Sequence, residues 1–130
     1  MSILHLEMVT IIASNDNFLG EKLAQLARAG GSRPLRSASI ERITLELKKR
    51  ESFVIIDMAW EDIQVPGLLR KLVNVGRITG SQVMCISPNT DEKLKKLARS
   101  SGCDQCFIRY DLETGVRESL MALGSKKPAA

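Results

Sequence analysis

The sequence predicts an α/β domain, a doubly wound parallel sheet built from five βα units. Three observations predict it. Short apolar runs rich in β-branched residues alternate with longer segments whose apolar residues recur at helical spacing. The alternation occurs five times, which calls for parallel strands joined by right-handed crossovers, with helices on both faces. Polar residues stand at the carboxyl ends of several strand segments, the edge where such sheets bind ligands.

Each element has its own reason. The run 8-MVTIIAS-14 is β-branched and apolar and reads as the first strand. Asn17 to Ala29 carries Phe18, Leu19, Leu23, Leu26 and Ala27 at helical spacing, with Asn15, Asp16 or Asn17 as the cap and Gly30-Gly31 as the stop. A short strand fits 34-PLRSAS-39. Ser39 caps a second helix whose apolar residues are Ile40, Ile43, Leu45 and Leu47, and Lys48-Lys49-Arg50 complement the dipole at its C-terminal end. The third strand is Phe53 to Met58. The loop 59-AWEDIQVPG-67 leads to a helix over Gly67 to Val75, with Leu68, Leu69, Leu72 and Val73 as its stripe. The fourth strand is 82-QVMCIS-87. The segment 88-PNTDEKLKKLARSSG-102 is a helix with Thr90 as cap, Asp91 and Glu92 in its first turn and Gly102 at its end. The fifth strand spans Gln105 to Ile108, and the last helix runs from Leu112 to Leu123 on a stripe of Leu112, Val116, Leu120 and Leu123.

Composition bounds the class. With 130 residues, 44% hydrophobic and 26% charged, the chain is expected to make one soluble domain with one core. That domain is placed at 8–123, with a short N-terminal extension at 1–7 and a flexible tail or linker at 124–130, where 124-GSKKPAA-130 is small, polar and Pro-containing. The apolar runs are too short for a membrane-spanning helix. The start, MSILHLEM, lacks the basic flank and long apolar stretch of a signal peptide, so a cytoplasmic location is expected. The net charge of +4 comes from basic residues spread over several helical segments, which reads as solvated faces and not as a nucleic-acid footprint. Aromatic residues, at 4%, provide no stacking platform for single strands.

The candidate chemistry converges on one edge. Ser14-Asn15-Asp16, Asp57, Ser87 and Arg109 follow the first, third, fourth and fifth strands, and the predicted topology brings them together. Asp57 ends a buried run, where a carboxylate needs a partner or a metal. Ser87 and Asp57 do not make a hydrolase pair, because His5 is the only histidine and lies in the extension. Glycine-rich phosphate loops are absent. The cysteines Cys85, Cys103 and Cys106 are odd in number, which argues against a disulfide framework. The spacing 103-CDQC-106 leads into a strand, where packing is expected in place of redox chemistry. A zinc site needs four ligands, which Cys85 and His5 are not spaced to complete. Trp60 and Tyr110 fall near the site edge, where a tryptophan serves either as a partner contact or as a plug of its own loop.

Together, 53-FVIIDMAW-60 followed by 67-GLLRKL-72, and 102-GCDQCFIRY-110, resemble the receiver domain of two-component response regulators, over about Val9 to Leu123. The resemblance implies a flavodoxin-like (βα)5 sheet of strand order 2-1-3-4-5 and a non-enzymatic signalling role. It implies protein partners, such as a histidine kinase or an output domain, and dimerisation through the fourth helix, fifth strand and fifth helix. That face carries Lys93, Lys95, Lys96, Arg99, Asp111, Glu113 and Arg117. In the family the aspartate matching Asp57 accepts a phosphoryl group, the hydroxyl matching Ser87 bonds the phosphoryl oxygens, and a lysine stands where this chain has Arg109. Two adjacent acids matching Ser14 and Asn15 hold Mg²⁺, and an aromatic switch residue matches Cys106.

The departures set the functional expectation. A hydroxyl and an amide replace the two acids, Trp60-Glu61 stands where the family has Met-Pro, Tyr110 stands where it has Pro, and Cys106 breaks the hydroxyl-to-aromatic switch. The chain is therefore expected to be an atypical receiver, or pseudo-receiver: a protein-interaction module independent of Mg²⁺-dependent phosphorylation, with no cofactor, nucleic acid or membrane as partner. Two arrangements stay open for Asp57, an ion pair with Arg109 in place of the metal or a solvated strand-end residue. One alternative is a working phospho-acceptor in which Asp16 and Asp57 hold Mg²⁺. Another is a flavodoxin-like domain that binds a small molecule at the same edge.

Overall fold

The chain is described as a computed structural model covering residues 8–88, 91–109 and 112–125. Its elements are β1 (Val9–Ala13), α1 (Asn17–Ala29), β2 (Arg33–Ser37), α2 (Ile40–Lys49), β3 (Phe53–Asp57), a 3-10 turn (Glu61–Gln64), α3 (Leu68–Ile78), β4 (Gln82–Ser87), α4 (Glu92–Ser100), β5 (Gln105–Ile108), a π-helical turn (Leu112–Val116) and α5 (Arg117–Ser125). The strands form one parallel sheet in the order β2-β1-β3-β4-β5. This is the expected strand order and fold class. Expectations placed on residues 1–7 (His5 among them), Thr90, Tyr110, Asp111 and the tail from 126 lie outside the described residues, as do the side chains of Glu113 and Leu123.

β1 and β3 are buried along their whole length because parallel central strands are covered on both faces. Alternate side chains serve two cores. Val9, Ile11, Val54, Ile56, Val83 and Cys85 face α2, α3 and α4, where Ile43, Leu47, Leu69, Leu72 and Ala98 meet them. Ile12, Phe53, Ile55, Met84 and Ile86 face α1 and α5, against Leu19, Leu23, Val116 and Leu120. β2 pairs only with β1, and as an edge strand it tolerates Pro34.

The helix ends follow local chemistry. Asp16 caps α1 by accepting from the Leu19 N–H, and Gly30 followed by Gly31, at φ +83, ends it. Ser39 caps α2, as its sequence position implies. The cap of α4 is Asp91, one residue later than expected, and its carboxylate accepts from the N–H groups of Lys93 and Leu94. Gly102, at φ +93, ends α4 in the left-handed region that a side chain would strain.

Several boundaries differ from expectation: β2 is Arg33–Ser37 in place of 34–39, β3 stops at Asp57 and not at Met58, and two helices differ as well. α3 continues a turn beyond Val75 to Ile78. Its buried stripe is Leu69, Leu72, Val73 and Gly76, and a Cβ on Gly76 would lie 3.3 Å from Val83 Cγ2. The stripe persists, but its last member has no side chain for hydropathy to register. The last helix opens with a π turn and continues through Gly124 and Ser125, residues expected in the tail.

α2 is held by Ile43 and Leu47 alone among its fully buried residues. Leu47→Ala is expected to cost about 2–5 kcal/mol, while Leu45→Ala, on the exposed side of the same helix, stays within about 0.5 kcal/mol. Urea denaturation of both variants checks the contrast.

Candidate functional site

The carboxyl ends of β1, β3, β4 and β5 meet at one edge of the sheet, so residues far apart in sequence become neighbours. Asp57, the last residue of β3, is only 3% exposed. Both of its carboxyl oxygens have protein donors. Oδ2 accepts the Ser14 hydroxyl at 2.7 Å, and Oδ1 accepts the Ala59 N–H at 2.9 Å. The second bond belongs to a tight turn: the Trp60 N–H also bonds back to the Asp57 carbonyl, and the Met58 N–H reaches Ile86 O on β4.

Ser14 holds a second group in place. Its oxygen accepts the Asp16 N–H at 3.0 Å while its hydrogen is given to Asp57. Asp16 in turn divides its carboxylate. Oδ1 caps α1 through the Leu19 N–H, and Oδ2 pairs with Arg109 Nη2 at 2.8 Å. The Leu19 N–H above all holds the Asp16 carboxyl below its ordinary range; burial opposes it, and Arg109 adds to the lowering. Asn15 between them is exposed.

The pairing of Arg109 with Asp16 replaces the expected Asp57–Arg109 ion pair. The expected alternative, a solvated Asp57, fails as well, because the side chain is buried. The physical reason is that Ser14 and Ala59 each give Asp57 a donor, so its burial is compensated without a cation. Arg109 therefore engages the more accessible carboxylate at the mouth of α1. Sequence reasoning placed Ser14 at this edge but missed it as the partner of Asp57. A hydroxyl one residue past β1, opposite an acid one strand away, was the available signal.

Ser87 is fully buried at the end of β4, next to the strand that ends in Asp57. Cys106 lies on the opposite edge, paired in register with Cys85. Trp60 is 3% exposed and packs with Met58, Ile63 and Leu69, so it plugs its own loop and is not a partner contact. Gln64 Nε2 closes that loop on the Met58 carbonyl.

A divalent cation fits this edge poorly. Mg²⁺ takes oxygen donors, carboxylates above all. The two acids present are each engaged, and Asp16 already faces a guanidinium that would oppose a second cation. Among the described residues, no group of three or more His, Cys, Asp or Glu side chains is arranged to hold a metal ion. Nor does any helix there have the length and apolar character to cross a membrane.

No protein-family model matches the chain, and no curated protein matches it in sequence. Solved structures do match in fold. A response regulator from Thermotoga maritima superposes with a TM-score of 0.70 at 12% identity, covering 90% of this chain and 99% of that one. A CheY-like protein (tadZ) from Pseudomonas aeruginosa PAO1 gives 0.69 at 19% identity, covering 96% and 99%. A CheY-like receiver domain protein from Methanospirillum hungatei JF-1 gives 0.67 at 14%, covering 94% and 100%. The chain therefore has the fold of response-regulator receiver domains, as the sequence resemblance implied.

Two substitutions test the network. Ser14→Ala removes the hydroxyl donor from a buried carboxyl and is expected to cost about 1–3 kcal/mol, against about 0.5 kcal/mol or less for exposed Asn15→Ala, by urea denaturation. Asp16→Asn keeps a capping oxygen but loses the charge facing Arg109. Because the folded state depresses the Asp16 pKa, the charge contributes fully above about pH 4 and its contribution is lost as pH falls through the lowered value. The Tm gap between wild type and Asp16→Asn is therefore expected to be full near neutrality and to shrink below about pH 4.

Proposed function

We propose that the chain is an atypical receiver: a protein-interaction module that works without Mg²⁺-dependent aspartyl phosphorylation. The observation that carries this reading is the Ser14–Asp57 hydrogen bond: a hydroxyl donor stands against Asp57 at a position that matches one of the family's metal-holding acids. Phosphoryl transfer needs a carboxylate oxygen as nucleophile and a metal that neutralises charge on the moving group. Here the positions matching the family's metal-holding acids are a hydroxyl and an amide. The one nearby acid, Asp16, is committed to a helix cap and to Arg109.

On this reading 8–123 is the functional unit, and it operates in the cytoplasm through protein partners, an output domain or a second copy among them. Ser14 takes the structural place of a metal-bound acid by bonding Asp57 directly. Ser87 and Arg109 keep the positions of the family's phosphoryl-binding residues without serving that purpose, and Cys106 stands where the aromatic switch would be.

The test is a Mg²⁺ titration followed by beryllofluoride, a phosphoryl mimic. Buried Trp60, three residues beyond Asp57, is the fluorescence reporter, with amide NMR shifts alongside. The expected result is no saturable response in either signal. Saturable Mg²⁺ binding with a further change on beryllofluoride, lost in Asp57→Asn, would establish a functioning phospho-acceptor instead.

A further inference from the structure

The three cysteines are placed together by the fold, away from the Asp57 edge. Cys85, in the middle of β4 and fully buried, forms a disulfide with Cys103 in the turn after α4, their Cα atoms 6.6 Å apart. This differs from the packing role expected for these residues, and sequence separation hid it. The 18 intervening positions contain all of α4. The third cysteine is not remote. Cys106 is the register partner of Cys85 across β4 and β5, so the two project to the same face of the sheet. Cys103 and Cys106 also line one cavity of about 310 Å³ together with Lys95, Ala98 and Arg99 of α4. Cys106 is a free thiol and exposed.

We propose that Cys85, Cys103 and Cys106 form a thiol–disulfide exchange site, in which the Cys106 thiolate attacks Sγ of Cys103 and displaces Cys85. The Cys106–Cys103 bond forms as the Cys103–Cys85 bond breaks. The electron pair leaves on Cys85 sulfur, which takes a proton to balance the one Cys106 gives up. No oxidant or reductant is consumed. The chemical partners of the site are small thiols and disulfides, which enter through the exposed Cys106.

The two bonded states differ in what they tie. Cys85–Cys103 anchors the end of α4 to the buried interior of β4. Cys103–Cys106 is local, from the turn after α4 to the start of β5, and leaves α4 without a covalent link to β4. The exchange therefore acts on the α4–β5 face. Its rate is modest. Partial desolvation of its sulfur beside the cavity pushes the Cys106 thiol up although the residue is exposed, and the nearby charges of Lys95 and Arg99 offset that only in part. Exchange on the scale of minutes to hours follows.

The experiment uses the full chain equilibrated in a glutathione redox buffer at about pH 8.5, where more of the thiol ionises. The sample is then acid-quenched, alkylated and digested with trypsin without reduction. Cleavage after Arg77, Lys93, Arg99 and Arg109 puts Cys85 on peptide 78–93, with Cys103 and Cys106 together on peptide 100–109. The Cys85–Cys103 bond gives these two peptides cross-linked, with the alkyl label on Cys106. After exchange they separate, and the label sits on Cys85. The expected result is both species in wild type, complete loss of the separated form in Cys106→Ser, and a Cys103–Cys106 bond in Cys85→Ser. Only the cross-linked form in wild type after hours would overturn the exchange. Three alkylated cysteines under oxidising buffer would overturn the site itself. The wild-type measurement needs no variant to fold.

Discussion

The structure turns on a buried carboxyl group at the end of a central strand. Asp57 cannot be left unsatisfied at 3% exposure, and the chain meets that demand with its own donors. The bond from Ser14 joins the ends of β1 and β3, and the same serine oxygen fixes the Asp16 N–H. Asp16 then starts α1 and holds Arg109 at the end of β5. One line of hydrogen bonds and a single ion pair thus connects three strand ends and a helix terminus. No described buried side-chain nitrogen or oxygen lacks a partner, so the line is closed within the protein.

That closure separates fold from mechanism. The receiver fold positions an acid at this edge whatever is done with it, because the strand order alone brings the four carboxyl ends together. A phosphorylation site also needs oxygens that are available to a metal and to a phosphoryl group. In this chain the oxygens of Asp57 face a hydroxyl and an amide N–H. A partly satisfied buried network would be costly and would invite a ligand, whereas a satisfied one rigidifies the loops around it. The buried Trp60 plug works in the same direction on the loop after β3.

Much of the architecture was legible in the sequence, because β-branched runs, helical periodicity and capping residues are local signals. Ser39, Gly102 and the pattern of β4 mark their places without help from the rest of the chain. What escaped was non-local or chemically silent. The last turn of α3 hides behind Gly76, which occupies a buried stripe position without contributing apolar surface. The partner of Asp57 lies 43 residues away, just past the end of another strand, and the partner of Cys85 lies beyond a whole helix. For Arg109 the sequence left two arrangements open, an ion pair with Asp57 or neither side chain paired, and the partner it has, Asp16, was not among them. Asp57 is buried with a donor on each oxygen, and Asp16 is easier to reach.

On the proposed reading the chain needs an element with two arrangements, and the energy that separates them has to come from differential contacts. The Asp57 edge has one well-satisfied arrangement, so a stimulus there would have to break several bonds at once. The opposite side of the sheet differs. β5 is an edge strand of four residues, none of them fully buried, and α4 contributes only Ala98 as a fully buried side chain. Few buried contacts mean a low local cost of rearrangement. The covalent link from Cys85 to Cys103 reinforces α4 and β5 where packing is thinnest. Bonding is thus denser at the Asp57 edge, and buried side chains are fewer at the α4–β5 face, where a few contacts would change the balance.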